Sequence, residues 1–434
     1  MIRVPLTVRL FAALTLTFVW FAPQLESQSV DAAQEIQAIF ADPAVQDALQ
    51  RVEAEDDETM RTLVTLTEIP APPFAEQARA TAFRDMLVEA GVDSAYIDDV
   101  GNVIALRRGT GSSSGAVAIA GHLDTVFPEG TDVTIRMRGD TLYAPGVGDD
   151  TRGLTTVLAI LRAMNAADVR TEADILFVGT VGEEGLGDLR GMKHLFRNGG
   201  PSIASFISVD GVSDTGVTHQ GLGSHRYRVT FTGPGGHSWG VFGQLNPAHV
   251  MGRAIHYFDL VADAYTRSAP KTSYNVGVIG GGTSVNSIPF EVSMQVDMRS
   301  LSQERLVAID SLFHRAIHRA VSEMNESRRS DTGVEVEIDM IGDRPSGEVP
   351  VDAEIVQRAI AATELFGLVP SLGRSSTDSN IPIAMGVPAI TIGGGGAGGA
   401  GHSPGEWFIN RNGPRGIQRA LLILVAQAGM APIS

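Results

Sequence analysis

Five short segments of this sequence put acids and histidines where they could hold cations and move protons. In Gly121-His122-Leu123-Asp124, an apolar run ends on a His-x-Asp. His122 is a candidate ligand, and Asp124, two residues on and on the same face of a strand, could reach its far ring nitrogen and fix its tautomer. Gly146-Val147-Gly148-Asp149-Asp150 delivers two adjacent carboxylates from a glycine-rich turn to the start of a helix. Such acids often cap helices, but Asp149 could also offer one oxygen to each of two cations. Gly182-Glu183-Glu184-Gly185 supplies a pair whose side chains diverge, so that Glu184 could ligate while Glu183 serves as general base; a solvated acidic pair is the plainer alternative. Asp210 ends a further apolar run and by itself reads as a turn residue. Last, seven glycines within residues 393–401 precede His402. No Lys-Ser/Thr follows them as a phosphate loop demands, so the glycines are expected to carry the backbone past a crowded site and present His402.

These residues need elements that bring them together. Apolar runs at 103–106, 116–120, 175–178 and 206–209, with a helical stretch at 154–164, predict strands alternating with helices, an α/β mixed sheet with helices on both faces. Ligands in such sheets gather at the strands' carboxyl ends, where the acids and His122 stand. Helices are expected near 31–51 and through Met86, Leu87 and Ala90, the latter ending at Gly91. From residue 221 the pattern changes to strands at 227–231, 274–279 and 291–298 separated by helices at 247–264 and 303–324, an inserted α+β module. A strand at 389–392 and a closing helix at 416–428 resume the first domain. The expected division is therefore 30–220 and 341–434 for the catalytic domain and 221–340 for the insert, preceded by a leader at 1–29. Arg3 and Arg9 followed by the apolar stretch 10–22 read as a signal peptide or an uncleaved N-terminal anchor, which predicts a periplasmic or secreted protein.

Composition narrows the partners. Fifty acidic against 33 basic residues give a net charge of −17, which disfavours nucleic acid and anionic membrane surfaces; membrane contact is expected only through an uncleaved leader. The sequence has no cysteine, so any metal site must use His, Asp and Glu.

The order GHLDTV, GVGDD, GEEG, SVDG and GHSPGEW, spread over roughly residues 60 to 430, resembles the M20 family of co-catalytic zinc metallopeptidases and deacylases, which includes peptidase T, glutamate carboxypeptidase and acetylornithine deacetylase relatives. The resemblance implies two Zn2+ per chain, replaceable by Co2+ or Mn2+. One would be held by His122, Asp149 and Asp210, the other by Asp149, Glu184 and His402. It implies Glu183 as the base, Asp124 as the acid behind His122, and a cis peptide bond after Asp149. The insert would be a lid and dimerisation domain, whose GPGGHS (233–238), GGTSVNSIP (281–289) and Asp297-Met298-Arg299 segments fit the family's motifs. His237 would then donate to an oxyanion across a homodimer interface, with Asn286 and Arg299 holding the substrate. Arg374 could join Arg299 in gripping a carboxylate. Two departures stand out: Thr151-Arg152-Gly153 where many members have Lys-Gly, expected to reshape the pocket wall, and Asp210 where some have Glu. The expected substrate is a small peptide, cleaved as by an exopeptidase. An N-acyl amino acid deacylase is the alternative, and a non-catalytic metal-binding dimeric scaffold is a third reading.

Overall fold

Successive side chains of a strand face opposite sides, so an apolar run without polar alternation needs cover on both. All seven residues of Ala116–His122 are buried, as are all six of Ile175–Thr180. In the computed structural model, which describes residues 23–111 and 115–431, these strands lie inside a mixed nine-stranded sheet. Its order is Ser94–Ile97, Val103–Arg107, Ile175–Thr180, Ala116–His122, Ile203–Val209, Ala389–Ile392, Gly216–Gly221 and Gly347–Glu348, with Ser371–Ser375 also paired to Gly216–Gly221. Ala116–His122 runs parallel to both neighbours, and Ala389–Ile392 runs parallel to Ile203–Val209. Four parallel strands therefore end on one edge. The helices Thr151–Ala166 and Gly413–Ala428 pack against the central strand within one continuous apolar core.

The helix expected near 31–51 is two helices, Pro23–Ala41 and Pro43–Ala54, broken where Asp42 caps the second by accepting from the N–H groups of Ala44 and Val45 at 2.9 and 3.2 Å. The first begins inside the segment assigned to the leader and packs on Glu354–Leu365 and Gly413–Ala428. The apolar stretch 10–22 lies outside the described residues. Among the described residues no helix is long and apolar enough to cross a membrane.

The insert has its own core. Thr272–Gly281, Glu291–Ser300, Gly223–Thr232 and Glu335–Arg344 form an antiparallel sheet in that order. Buried positions alternate along Glu291–Ser300, the pattern of a sheet with one face on a core. That face meets the helices Pro247–Thr266 and Gln303–Glu326 through Tyr227, Phe258 and Phe313, whose rings lie 5.1 and 5.2 Å apart. A third sheet, not anticipated from the sequence, joins Arg136–Arg138, Thr141–Tyr143, Trp407–Ile409 and Ala397–Gly399. It fastens the glycine-rich loop beside the Asp149 turn.

Candidate active site

Three of the acid-bearing segments leave the same edge of the large sheet. His122 is the last residue of its strand; Glu183 and Glu184 follow Ile175–Thr180, and Asp210 follows Ile203–Val209. His122 Nε2 lies 2.9 Å from Asp149 Oδ1, and His402 Nε2 lies 3.1 Å from Asp149 Oδ2 and 2.9 Å from Glu184 Oε1. The two oxygens of Asp149 are thus divided between two histidines. Donor atoms of His122, Asp149 and Glu184 all fall within 4.8 Å of one another. A pocket of about 390 Å³ opens over this group, and Asp210 and Glu183 also line it.

The electrostatics fit divalent cations. Burial, then the charge of Asp149, pushes the Asp210 carboxyl up to about 7; burial likewise raises Glu184 and, further, Glu183. Burial opposes ionisation of Asp149 as well, but hydrogen bonds from His122 and His402 hold it below the usual carboxylate range. Crowded, buried carboxylates of this kind call for a compensating positive charge. Two ligands on a tetrahedral zinc at about 2.0–2.1 Å stand about 3.3 Å apart, close to the spacings here. The spacings among His122, Asp149, Glu184 and His402 thus suit shared cations, and Asp210 lines the same pocket.

The adjacent aspartates have separate tasks. Asp150 caps Thr151–Ala166 by accepting from Gly153 N–H at 3.0 Å, and its other oxygen accepts from His122 N–H at 3.0 Å. Gly153 is required there, because a side chain would strike the Asp150 carboxylate and the Val209 carbonyl. The Asp149–Asp150 peptide bond is cis. In the glycine-rich loop, Gly395 has φ +80°, and an added Cβ would lie 2.6 Å from the Gly413 carbonyl oxygen, so the loop can touch the closing helix only as glycine.

Asp124 takes a different place from the one its spacing suggested. The strand ends at His122, and the Nδ1 of His122 meets the Asp124 backbone carbonyl at 3.0 Å, with the carboxylate 3.8 Å away. The carboxylate instead accepts from the N–H groups of Glu183 and Glu184 at 3.1 and 2.8 Å. Asp124 thereby orients His122 with its main chain and the glutamate turn with its side chain.

The lid residues divide. Arg299 lines the pocket, but His237 and Asn286 do not. His237 is exposed and pairs in register with Ser287, while Asn286 accepts from Ser238 N–H through its carbonyl at 2.9 Å. The Nδ1 of His237 faces the N–H groups of Trp239 and Gly240, both at 3.3 Å. Those groups can only donate, so Nδ1 accepts and a neutral ring would carry its proton on Nε2. Arg374 lines a neighbouring cavity together with Arg299. Arg152 is not on the pocket wall: it is fully buried, donates to the Gly394 and Gly413 carbonyls at 2.9 Å each, and ties the helix after Asp150 to the glycine-rich loop.

Four contributors escaped sequence reasoning. Arg344 ends the last lid strand, is buried, and reaches Glu183 Oε1 at 3.2 Å, Ser376 Oγ at 3.1 Å and the Glu183 carbonyl oxygen. Arg226, also in the pocket, shares Asp297 with Arg299, at 3.0 and 2.7 Å. Glu406 accepts from the N–H groups of Gly146, Gly148 and Asp149 at 2.8, 2.8 and 3.0 Å. Asp378 is buried 2.5 Å from Thr180 Oγ1, with its carboxyl raised by burial to about 6. Glu406 stands inside the GHSPGEW motif already noted; Arg226, Arg344 and Asp378 carry no comparable signal.

Likenesses to known proteins agree with this geometry. A Pyrococcus abyssi protein with the provisional name LysW-lysine/LysW-ornithine hydrolase is 37% identical over 134 residues, 31% of this chain and 36% of its own. The chain thus spans little over a third of that relative's length. Acetylornithine deacetylase from Myxococcus xanthus is 25% identical over 81% of this chain and 89% of its own. In fold, the chain resembles aminopeptidase PepT from Bacillus cereus (TM-score 0.68, 20% identity, 86% and 99% of the two chains) and a tripeptidase from Staphylococcus aureus (0.68, 19%, 85% and 98%). Residues 118–425, which begin just before His122 and run past His402, match the family model, and the chain belongs to peptidase family M20/M25/M40.

Proposed function

We propose that this chain is a dinuclear zinc hydrolase that cleaves the amide bond of small peptides carrying a free carboxylate. The observation that carries the reading is the division of the Asp149 carboxylate between His122 and His402, with Glu184 on the second histidine and Glu183 beside it, outside the ligand group. Bound cations would supply a polarised carbonyl and a water acidic enough to be deprotonated near neutral pH. Glu183 takes that water's proton; its burial, which favours the protonated form, suits it to return the proton to the departing amine. Arg344, which also donates to Ser376 Oγ, holds Glu183 in place. Arg299 and Arg226, both anchored by Asp297, face the pocket and would grip the substrate carboxylate.

His237 completes the site from a second copy of the chain. It is exposed, accepts from Trp239 N–H at Nδ1, and sits beside Trp239 and Phe242, which are 87% and 83% exposed. Large apolar side chains at such exposure suit a symmetric interface. There His237 would donate to the oxyanion of the partner's substrate, with Asn286 holding the substrate beside it.

The 25% identity with an acetylornithine deacetylase over most of both chains supports an N-acyl amino acid as the second substrate class. Incubating the zinc-loaded protein with dipeptide and N-acyl amino acid libraries, alongside Glu183→Ala, tests both. Release of amino acids by wild type alone is expected; equal inactivity of the two metal-loaded proteins would leave a scaffold role. Export is a further proposal, checked by fractionating cells that express the full chain and looking for it outside the cytoplasm.

A further inference from the structure

A second cavity of about 320 Å³ opens where the lid joins the large sheet, lined by Leu222, Lys271, Ser273, Arg299, Leu301 and Arg374. Three of the six are cations and none is an acid, although acids outnumber bases 50 to 33 in the chain. Arg299 belongs to both cavities, and Ser375 and Ser376, next to Arg374, line the catalytic pocket. The two spaces therefore adjoin along one cationic wall.

Backbone pairing sets where these cations stand; Arg299 is paired with Asp297, whereas the other two have no ion pair among the described residues. Ser273 pairs in register with Arg299, which places Lys271, just before the strand Thr272–Gly281, at the end of the lid strand beside that of Arg299. Arg374 comes from the large sheet, in register with Gln220. Arg299 engages Asp297 through Nε at 2.7 Å, which leaves its terminal nitrogens available. Neither Lys271 Nζ nor the Arg374 guanidinium makes a hydrogen bond or ion pair with any described residue. Like charges gathered around a cavity repel one another, and an anion between them relieves that repulsion while gaining charge-assisted hydrogen bonds. Leu222 and Leu301 supply apolar wall for a short aliphatic stem.

We infer that the hinge cavity is a subsite for a second carboxylate, so that the preferred substrates carry an aspartate or glutamate side chain in addition to the carboxylate held in the catalytic pocket. This rests on the amide-hydrolase reading above. Because its cations come from both the lid and the large sheet, such a substrate would also tie the two together.

The test compares matched substrates on the zinc-loaded enzyme: Ala-Glu against Ala-Gln, and N-acetylglutamate against N-acetylglutamine. The acidic member of a hydrolysed pair is expected to have about tenfold higher kcat/KM, the worth of one charge-assisted contact. Lys271→Gln and Arg374→Gln should each cut that preference to about threefold or less. Equal rates on both members, or a preference that survives both substitutions, overturns the subsite and leaves amide hydrolysis standing. If no pair is hydrolysed, the functional reading fails for these substrates, and calorimetry of N-acetylglutamate and N-acetylglutamine on the same three proteins decides the subsite. Tighter glutamate binding that both substitutions weaken supports it, and equal affinities overturn it. Glutarate separates the two sources of carboxylate: stimulation of glutamine-substrate turnover without competition against glutamate substrates would assign the cavity to a free anion and overturn the substrate role.

Discussion

His122, Asp149, Glu184 and His402 meet within a few ångströms of one another, whereas His237 and Asn286 stand on the lid and do not line the pocket. The first group sits at or just beyond strand ends and on loops clamped beside them, so pairing of the large sheet fixes its spacing. The second rides on the two-residue strand Gly236–His237 and the turn around Asn286, surrounded by exposed apolar side chains. Rigid pairing can assemble a cation cage within one chain. A donor that must approach from outside needs either closure of the lid or a second protomer.

The sharpest way to break this contrast is to remove the cations. Chelation is expected to abolish turnover, and elemental analysis to find about two divalent ions per chain; a single ion would contradict the shared role of Asp149. Next, Glu183→Gln should lower kcat by about 10² to 10⁴ with metal content unchanged, whereas Glu184→Gln should lower the metal content itself. His237→Ala should cost about 10² to 10³ in kcat. Mixing it with Glu183→Ala under conditions that exchange subunits distinguishes the two routes for the lid donor. Restoration to about one quarter of wild-type activity is expected if His237 acts across a two-fold interface, and none if it acts within its own chain.

Smaller effects probe the supports. Glu406→Ala strips three N–H groups of their acceptor and should lower stability by about 2 kcal/mol in chemical denaturation, together with metal affinity. Smallest is a lid contact between helices, where hydrogen bonds from Tyr257, then Arg319, hold the Glu323 carboxyl below its usual range. A depressed folded pKa stabilises above the unfolded value, and that contribution is lost as pH falls through the folded one. Glu323→Gln should therefore lower Tm by about 1 °C near neutrality and by less towards pH 3.

Much of the candidate site was legible because each strand is a short apolar run bounded by a polar residue, and Ala389–Ile392 matches its expected span. Sequence spacing was a poor guide where the partner is distant or the bonding atom belongs to the main chain. Asp124 lies two residues from His122, yet its carboxylate serves amides some 60 positions away. Arg152 looked like a pocket residue because it follows Asp150, but the helix turns it inward to carbonyls some 240 and 260 positions on. Arg344 leaves no periodic signal, since a single charge at the end of a strand resembles any solvated residue. The helix Asp56–Thr67 escaped because three positions of its buried stripe, Thr59, Thr62 and Thr67, are threonines rather than apolar residues.

The clamp of Glu406 on the turn at Asp149 has a consequence for biosynthesis. A ribosome delivers His122, Asp149, Glu184 and Asp210 well before His402 and Glu406. Until then Asp149 lacks one of its two histidines and its turn lacks the acceptor for three amides. A metal centre that uses both histidines would therefore be complete only after residues 402–406 have been made.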